Sequence, residues 1–595
     1  GPGCEEENVM GKNRKRLIQA AMGEIPCDLT IRNIQYVNVF TGEIYPAQVD
    51  VIDGYVARVR EAGEEAEQPA AEIVDGEGNY LIPGFVDTHV HVESSMLIPE
   101  NFSRAVIPWG TTAVCTDPHE IANVLGIDGV KFMLENASRS ALRQYVLAPS
   151  CVPAVPGLEC SGAEFGEEEI GEILDMDHVV GVAELMDYVG VCRGSERMYR
   201  IMEKGLEKGA YLQGHGPLLG GRELSAYRAA GAESDHESET AEEIQEKLRR
   251  GMHINLRASS LANHMDQLAA GVRRIPYHDF ISICTDDVHA GDLLSSGHIN
   301  RVVRCAIENG LEPVDVIRMA TLNGAREYGF KELGAVAPGY AADMQLVRAL
   351  DGSQPERVWI AGKTVAVKGQ YVGEDEGQPI DFPNTVKTSW IAGAEDLALT
   401  VDGPQREAAV NVIVPVDGGN IFRRAEVQKL PVRDGRVCLD SREDLAFVCV
   451  INRHGRRNKT VAVFQNFGLK KGAVGTTVSH DSHNVVIVYK KEEDGCRLLR
   501  ELERMGGGLC VVEDGQVTGK VALPAAGLMS GGSCQEAAGE FETYRRAFYR
   551  VCRPETPLLS CAIMSLTALP GIVVTDCGLV DGGRQEFVPV FPGQE

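Results

Sequence analysis

The segment Leu81-Ile-Pro-Gly-Phe-Val-Asp-Thr-His-Val-His-Val-Glu93 decides the fold of this chain. Its apolar run from Leu81 to Val86 predicts a buried strand that leads directly into His89 and His91. Alternate residues of a strand share one face, so the two imidazoles can bind one metal ion. A single His-x-His pair is more often structural, but this pair lies toward the carboxyl end of a buried strand, which is the catalytic end in a barrel of parallel strands. The segment therefore predicts a catalytic metal site.

The chain from Phe85 to about Phe330 alternates short apolar runs with longer amphipathic ones, which is the pattern of repeated βα units. The predicted strands are Phe85–His91, Thr111–Thr116, Tyr145–Cys151, Val179–Glu184, Ala210–His215, Ala230–His236, Met252–Leu256 and Ile281–Asp286. Eight units in about 250 residues predict an α/β fold, a (β/α)8 TIM-like barrel spanning residues 83–333. A doubly wound open sheet is the alternative, but no Gly-x-Gly-x-x-Gly loop follows the first strand.

The sequence on either side of the predicted barrel reads as short strands and turns. Residues 27–82 and 334–385 together predict one small composite β-sandwich domain. Residues 390–595 mix strands with helices and are long enough for a separate C-terminal α+β domain. The opening Gly1-Pro-Gly3 is typical of a tag cleavage scar, with Met10 the candidate native start, so residues 1–26 are interpreted as scar and N-terminal extension.

Composition argues against several classes of protein. The formal net charge of −28 disfavours nucleic acid and anionic membranes as partners. No stretch approaches the roughly 20 apolar residues of a membrane span, and no early apolar core resembles a secretory signal. The 16 cysteines form no Cys-x-x-Cys pair, which favours reduced thiols over a disulfide framework. We expect a cytoplasmic enzyme that acts on a small molecule and assembles as a homo-oligomer, a dimer.

Metal-binding residue types close five of the predicted strands. They are His89, His91, Glu184, His215, His236 and Asp286. Four imidazoles and two carboxylates suit two divalent metal ions per subunit, with manganese or iron favoured and zinc the alternative. Two dications opposed by two carboxylates and a bridging hydroxide leave about one positive charge to polarise a substrate. Any one of these residues alone would be interpreted as structural; the set predicts a binuclear site.

The order of these residues resembles the amidohydrolase superfamily and, within it, the bacterial and archaeal adenine deaminase family. The motifs that carry the narrower resemblance are Pro83-Gly-Phe-Val-Asp-Thr-His-Val-His-Val-Glu-Ser-Ser95, Thr116-Asp-Pro-His-Glu120, Gly181-Val-Ala-Glu-Leu-Met186, Gly214-His-Gly216, Ser234-Asp-His-Glu237 and Cys284-Thr-Asp-Asp287. Three more match that family's additional C-terminal domain: Phe467-Gly-Leu-Lys-Lys-Gly472, Ser479-His-Asp-Ser-His-Asn484 and Thr575-Asp-Cys-Gly-Leu-Val-Asp581. The resemblance runs from about residue 27 to the end.

The resemblance implies hydrolytic deamination of adenine to hypoxanthine and ammonia, a purine salvage reaction in which a metal-bridged hydroxide attacks C6. It also implies that Glu184 bridges the metals where many amidohydrolases use a carboxylated lysine. Adenine resists attack unless N1 gains a proton, and Glu237, directly after His236, is the candidate acid. Asp286 is the candidate proton shuttle between the hydroxide and the leaving amine. The alternative role for Glu237 is a helix N-terminal acid stabilised by the helix dipole.

Several polar residues near the strand ends are candidates for substrate contact or for loop support. They are Ser94, Ser95, His119, Glu120 and Asp287. His480 and His483 share one face of a predicted strand; a substrate-proximal or structural role is favoured over a third metal. The histidines interpreted as structural are His178, His253, His264, His278 and His298. Two other functions stay open: a related amidohydrolase acting on N6-substituted adenine or another small amide or amidine, and an inactive scaffold, against which the intact ligand set argues.

Overall fold

The computed structural model describes residues 12–374, 377, 379–416 and 422–593. The expected scar Gly1-Pro-Gly3 and Met10 lie outside the described residues. The first described helix, α1 (Arg14–Ala21), packs Ala20 against Ile52 and Ala57.

A nine-stranded sheet combines the two segments that flank the central part of the chain. Its strands before the central part are β1 (Leu29–Val37), β2 (Ile44–Ile52), β3 (Tyr55–Glu61), β4 (Glu72–Asp75) and β5 (Tyr80–Pro83). The turn between β2 and β3 is Asp53-Gly54, and both residues have positive φ, 49° and 80°. Paired positive φ values match the twist of a tight hairpin, which is why Asp-Gly is suited to this turn.

Eight parallel strands follow, and each overlaps one of the segments predicted as a strand, with bounds that differ by a few residues. They are β6 (Phe85–Val90), β7 (Thr111–Thr116), β8 (Arg143–Ala148), β9 (Val179–Leu185), β10 (Tyr211–Gly214), β11 (Ser234–Asp235), β12 (His253–Arg257) and β13 (Ile281–Cys284). The first five form one parallel sheet and the last three another. The sixth is much shorter than predicted because Ala230 still belongs to the preceding helix.

Backbone hydrogen bonds connect the two parallel sheets on both sides. On one side, the Asp286 N–H donates to the His89 carbonyl and the His91 N–H donates to the Asp286 carbonyl, each at 2.9 Å. On the other side, the Glu233 N–H donates to the Leu212 carbonyl at 2.8 Å. The carboxyl ends of β6 and β13 are therefore neighbours. The Thr88 side chain also donates to the Ile283 carbonyl there, although the two residues are 195 positions apart in the sequence.

Helices connect the parallel strands and cover them. They are α2 (Pro99–Val106), α3 (His119–Leu125), α4 (Ile127–Ser138), α5 (Glu167–Leu174), α6 (Tyr188–Arg193), α7 (Glu196–Glu207), α8 (Gly221–Ala230), α9 (Ala241–Arg249), α10 (Met265–Arg273), α11 (Ala290–Ser295), α12 (Ile299–Glu308), α13 (Pro313–Arg318) and α14 (Gly324–Glu327). Thr240 shows how one of these helices, α9, begins. Its side-chain oxygen accepts from the Glu243 N–H, and the Glu243 carboxylate accepts from the Thr240 N–H, which is a capping box.

The second flanking segment then returns to the first sheet. Its strands are β14 (Met344–Val347), β15 (Arg357–Ile360), β16 (Lys363–Val367) and β17 (Gln370–Tyr371). β14 pairs antiparallel with β5, with Met344 opposite Pro83. The strand that leads into the histidine pair is thus fixed at its amino end by a segment from the other side of the chain.

The remainder, residues 384–593, is called the C-terminal region below. Its elements are β18 (Glu407–Pro415), β19 (Arg423–Arg433), β20 (Arg436–Val437), β21 (Leu445–Ile451), β22 (Lys459–Gln465), β23 (Ala473–Thr476), β24 (Val485–Tyr489), α15 (Glu492–Met505), β25 (Gly508–Glu513), β26 (Gln516–Ala522), α16 (Cys534–Val551), β27 (Ile572–Thr575), β28 (Gly578–Asp581) and β29 (Glu586–Val588).

Both faces of the middle strands of the main sheet in the C-terminal region are buried. In β21, alternate residues such as Phe447 pack in one apolar cluster with α15, and their neighbours such as Val448 pack in another with α16. A strand covered on both faces reads as a continuous apolar run, as Leu445–Ile451 does. Among the described residues, no helix combines the length and apolar character that crossing a membrane requires.

Candidate metal centre and active site

The six predicted ligands come together at the carboxyl ends of the parallel strands. His89 lies in β6 and His91 directly follows it, Glu184 lies near the end of β9, and the others follow β10, β11 and β13. Five of the six are buried, and His215 is partly exposed. Parallel strands place their carboxyl ends at the same edge, which is why residues so distant in sequence meet here.

Glu184 lies at the middle of the cluster. Its Oε2 is 2.7 Å from His215 Nδ1 and 3.1 Å from His236 Nε2, and its Oε1 is 3.3 Å from His91 Nε2. Burial opposes a charge on this carboxylate, but the surrounding imidazoles, His215 first, hold its pKa well below the ordinary range. Glu184 is therefore ionised and has imidazoles on both of its oxygens, as a bridging ligand requires.

Asp286 faces the other half of the cluster. Its Oδ1 lies 3.2 Å from His89 Nε2 and 3.3 Å from His91 Nε2. Burial raises the pKa of Asp286, but the adjacent His89 and His91 and the charge of Arg257 outweigh it and bring the pKa well below its ordinary value. His91 thus stands between the two carboxylates.

The donor atoms fit divalent metal ions. The Nε2 atom of His89 and both ring nitrogens of His236 are buried without a hydrogen-bond partner. A buried polar atom left unpaired costs about 1–3 kcal/mol, whereas a bound cation would use its lone pair. Imidazole nitrogens with carboxylate oxygens are the donor types that manganese, iron and zinc accept. The structure thus contains a metal-binding cluster, while the number and identity of the ions stay predictions.

Two residues that the sequence reasoning missed fix the histidine tautomers. His89 Nδ1 donates to Gln213 Oε1 at 3.0 Å, and His91 Nδ1 donates to the Asp117 carbonyl at 2.9 Å. The amide of Gln213 is oriented because its nitrogen donates to the Thr88 carbonyl, which can only accept. With the proton on Nδ1, each Nε2 presents its lone pair to the cluster. Gln213 precedes His215 by two residues on the same strand, and that spacing was the available signal.

Arg257 is the other missed residue and the cation nearest to both candidate proton carriers. It ends β12, is buried, and donates to Asp286 Oδ2 at 2.9 Å and to Glu237 Oε1. The guanidinium thus contacts both carboxylates, and its charge helps to lower the pKa of Asp286. The predicted strand ended at Leu256, one residue short, so the side chain at its end was not considered.

Glu237 reaches the cluster from the residue after His236. Its Oε1 is 3.4 Å from His236 Nε2 and 3.8 Å from His215 Nδ1. Helix α9 begins at Ala241, and the acids in its first turn are Glu242 and Glu243. Glu237 therefore precedes the helix, and the alternative role as a helix N-terminal acid does not describe its position.

The weaker candidates for substrate contact separate into two kinds. Ser94 donates to Asp287 Oδ1, and a role of this pair in substrate contact stays a prediction. Ser95 instead donates to the Val92 carbonyl at 2.6 Å and accepts from the Leu97 N–H at 3.2 Å. Its hydroxyl is engaged within its own turn, and no described contact brings it to the cluster.

His119 lies beside the cluster without offering Nδ1 to it. Nδ1 donates to Asp117 Oδ2 at 2.7 Å and lies 3.4 Å from Glu184 Oε1. Its Nε2 lies 3.1 Å from Glu120 Oε1. Burial lowers the pKa of His119, but neighbouring acids, Asp117 and Glu120 among them, raise it well above the ordinary value. This pair at the start of α3 also connects the cluster to the C-terminal region.

Two histidines of the C-terminal region hold the Glu120 carboxylate. His480 Nδ1 lies 2.9 Å from Oε1, and His483 Nε2 contacts Oε2. The Ser479 N–H donates to His483 Nδ1 at 3.0 Å, so the proton of that ring is on Nε2 and is donated to Glu120. A ring that donates through Nε2 has no lone pair there for a metal. We call Glu120, His480 and His483 the histidine clasp; its hydrogen-bond pattern favours a structural or substrate-proximal role over a third metal.

The histidines interpreted as structural occupy ordinary environments where contacts are described. His298 is fully buried between Thr111 and Thr285, and His278 Nδ1 lies 2.5 Å from Asp315 Oδ2. His253 Nε2 lies 3.0 Å from Ser282 Oγ on the neighbouring strand. None of these three belongs to the six-residue cluster.

Comparison with known proteins extends these observations to the whole chain. The sequence profile of the amidohydrolase family matches residues 80–365, and that of the adenine deaminase C-terminal domain matches residues 420–586. Adenine deaminase 2 from Carboxydothermus hydrogenoformans is 38% identical over 579 residues, covering 97% of this chain and 99% of that protein.

The chain belongs to the adenine deaminase family. Other adenine deaminases agree with this assignment: that from Moorella thermoacetica is 37% identical and covers 97% of this chain and 98% of its own length. The adenine deaminase from Klebsiella pneumoniae strain 342 is also 37% identical, covering 97% of this chain and 95% of its own length. The predicted resemblance is thereby confirmed, and with it a hydrolytic enzyme.

Proposed function

We propose that this chain hydrolyses adenine to hypoxanthine and ammonia, a reaction of purine salvage. The observation that carries the proposal is the placement of two ionisable carboxylates, Glu237 and Asp286, at the six-residue cluster of a chain related over nearly its full length to adenine deaminases. Deamination needs one group to protonate the ring and one to protonate the leaving amine. Glu237 and Asp286 are the candidates for these roles, and both contact the same Nη1 atom of Arg257.

The proposed architecture is a closed (β/α)8 barrel with two attached domains. The hydrogen bonds at His89–Asp286 and Leu212–Glu233 support closure of the eight strands. We propose residues 83–333 as the barrel, residues 27–82 with 334–385 as the composite β domain, and residues 390–595 as the C-terminal domain. The nine-stranded sheet built from both flanks supports the composite domain.

We propose two divalent metal ions per subunit, manganese or iron with zinc as the alternative. The six side chains that would hold them are His89, His91, Glu184, His215, His236 and Asp286, and the unpaired ring nitrogens of His89 and His236 support the fit. When bound, such ions supply the positive charge that makes water acidic enough to react as hydroxide near neutral pH.

The two carboxylates account for both protons of the attacking water. Glu237, which contacts Arg257, first accepts a proton from water and then donates that proton to N1 of adenine. Oxygen bonds to C6 as N1 is protonated. Asp286 then takes the remaining hydroxyl proton and donates it to the amino group, the C6–N bond breaks, and a C6 carbonyl forms. Adenine and one water thus yield hypoxanthine, protonated at N1, and ammonia.

The test is ammonia release from a panel of purines after loading with manganese or iron. We expect kcat/KM for adenine to exceed that for adenosine. A site that hydrogen-bonds the purine edge discriminates against a ligand that leaves the site's buried polar groups unpaired. A preference for adenosine would overturn the proposed substrate. A preference for N6-methyladenine would assign the related specificity and leave the mechanism intact, since C6 is equally open to attack in both.

We also propose a cytoplasmic dimer without nucleic acid or membrane partners. The acidic composition, with a net charge of −28, supports the absence of polyanionic partners. Light scattering on the full chain measures the oligomeric state, and a monomer at micromolar concentration would contradict the proposal.

A further inference from the structure

Two thiols lie next to each other where the loop after β8 meets the C-terminal region, and the mechanism proposed above uses neither. Cys160 Sγ lies 3.5 Å from Cys577 Sγ, although the two residues are 417 positions apart in the sequence. Cys577, in the turn between β27 and β28, is exposed, and Cys160 is partly buried. The two sulfurs are in van der Waals contact, and a small molecule can reach one of them from solvent.

The backbone around both thiols is held in place from both sides. The Cys160 N–H donates to Asp576 Oδ1 at 3.0 Å, and the Asn484 side-chain amide donates to the Cys160 carbonyl at 2.9 Å. Thr575 donates to the Leu158 carbonyl at 2.6 Å. With the chain held on each side, the two sulfurs are already close, and the Sγ–Sγ distance has to shorten from 3.5 Å to the roughly 2.05 Å of a disulfide.

A metal site at this pair is disfavoured by the neighbouring acid. Among the described residues, Asp576 has a carboxylate oxygen close enough to both sulfurs to share a metal ion with them. Its Oδ1 accepts from the Cys160 N–H, and its Oδ2 accepts from Asn452 at 2.8 Å and from Asn458 at 2.5 Å. A carboxylate already engaged by three donors leaves the two sulfurs without a third ligand, and structural zinc takes four.

We propose that Cys160 and Cys577 form a reversible disulfide by exchange with a small-molecule disulfide such as oxidised glutathione. The Cys577 thiolate attacks one sulfur of the reagent, forming a mixed disulfide and releasing one glutathione thiolate. The Cys160 thiolate then attacks Cys577 Sγ, which forms the intramolecular bond and releases the second glutathione thiolate. Two protein thiols are oxidised, one molecule of the reagent is reduced to two thiols, and each departing thiolate takes up a proton.

The groups around the two thiols determine how the exchange rate depends on pH, and the positions of the thiols determine which parts of the chain the bond connects. Burial and the Asp576 carboxylate raise the pKa of both thiols, and Arg456, whose Nη1 is 3.4 Å from Cys160 Sγ, partly opposes this. Exchange needs a thiolate, so its rate rises with pH. The bond would lock the loop after β8 to the C-terminal region, which also carries the histidine clasp on Glu120.

The experiment treats the full native chain with excess oxidised glutathione at mildly alkaline pH and maps peptides without reduction. We expect one linked pair containing Cys160 and Cys577, two hydrogens lighter than the separate peptides and lost on adding a thiol reductant. Recovery of Cys577 as a stable glutathione adduct with Cys160 still free would overturn the proposal. So would recovery of both as free thiols under conditions that modify the partly exposed Cys438.

Thermal unfolding gives a second readout that adduct formation alone would not produce. A bond closing a loop this long restricts the unfolded chain, so the oxidised wild type should melt at a higher temperature than the reduced protein. Cys577→Ser, treated identically, should show no rise, and the matched control Cys438→Ser should rise as the wild type does. Equal melting temperatures for oxidised and reduced wild type, with the linked peptide absent, would refute the inference.

Discussion

Replacing Glu159 with glutamine should stabilise the protein at neutral and alkaline pH and change its stability little in acid. Glu159 is buried between the loop after β8 and the C-terminal region. Its two oxygens accept from Ser482 Oγ at 2.6 Å and from Thr567 Oγ1 at 2.9 Å. Burial, together with the charges of Asp481 and Asp576, outweighs these bonds and raises the pKa of Glu159 from 4.5 to about 7.

A carboxyl group with a raised pKa holds its proton more tightly in the folded than in the unfolded chain. The contribution of Glu159 to the free energy of unfolding therefore falls as pH rises from 4.5 to about 7 and is constant above that window. Each pKa unit corresponds to about 1.4 kcal/mol, so the full loss is about 3 kcal/mol at most. Glutamine removes the charge and keeps both hydrogen bonds, because one of the two hydroxyls can turn and accept from the amide.

The assay is urea unfolding followed by circular dichroism, for wild type and Glu159→Gln, at several pH values across this window. The difference in free energy of unfolding should grow with pH in favour of Glu159→Gln. Glu168→Gln, an exposed acid of α5, serves as the matched control and should show little difference at any pH. A Glu159→Gln protein that is less stable than wild type above pH 7, or equally offset at every pH, would show that the ionised carboxylate is well accommodated.

Further predictions concern the metal cluster and the clasp. Elemental analysis of loaded protein should find about two divalent ions per subunit, and one ion at saturation with full activity would contradict the binuclear proposal. Glu184→Gln should retain less metal, because a neutral amide lacks the bridging charge. Glu237→Gln should keep its metals and lose on the order of 10²-fold or more in kcat; unchanged rates would transfer the role to His119 or Glu120. Asp286→Asn should nearly abolish turnover in the ammonia assay, since it removes a proton acceptor and weakens a ligand together.

The candidate ligands could be predicted because strand ends are readable in sequence. Each of the eight apolar runs gave one observed strand, and residues at the ends of parallel strands meet whatever their separation along the chain. The supporting residues were harder to find. Gln213 and Arg257 act through side chains that reach across the strand ends. The spacing of two residues to His215 was the signal for Gln213, and no comparable pattern distinguished Arg257.

Contacts between distant parts of the chain could not be predicted at all. The prediction that His480 and His483 share one face of a strand was wrong: both lie in the connection between β23 and β24, and strand residues three apart would point to opposite faces. The hydrogen bond from the Ser479 N–H to His483 Nδ1 determines the tautomer of His483. Nothing in the sequence indicates that Glu120 is their partner, 360 residues from His480. Such pairings depend on how two separately formed sheets dock, and only the folded coordinates contain that information.

The histidine clasp also has a consequence for how the protein is made. Burial lowers the pKa of His480, but Glu120 raises it to about 9, so the clasp closes with an ion pair that neither half can form alone. Ribosomes add about 5–20 residues per second, so His480 emerges on the order of tens of seconds after Glu120. All six candidate ligands are synthesised by Asp286, well before the clasp can close. The contact between Glu120 and the C-terminal region can therefore form only after the strands that carry these ligands have been made.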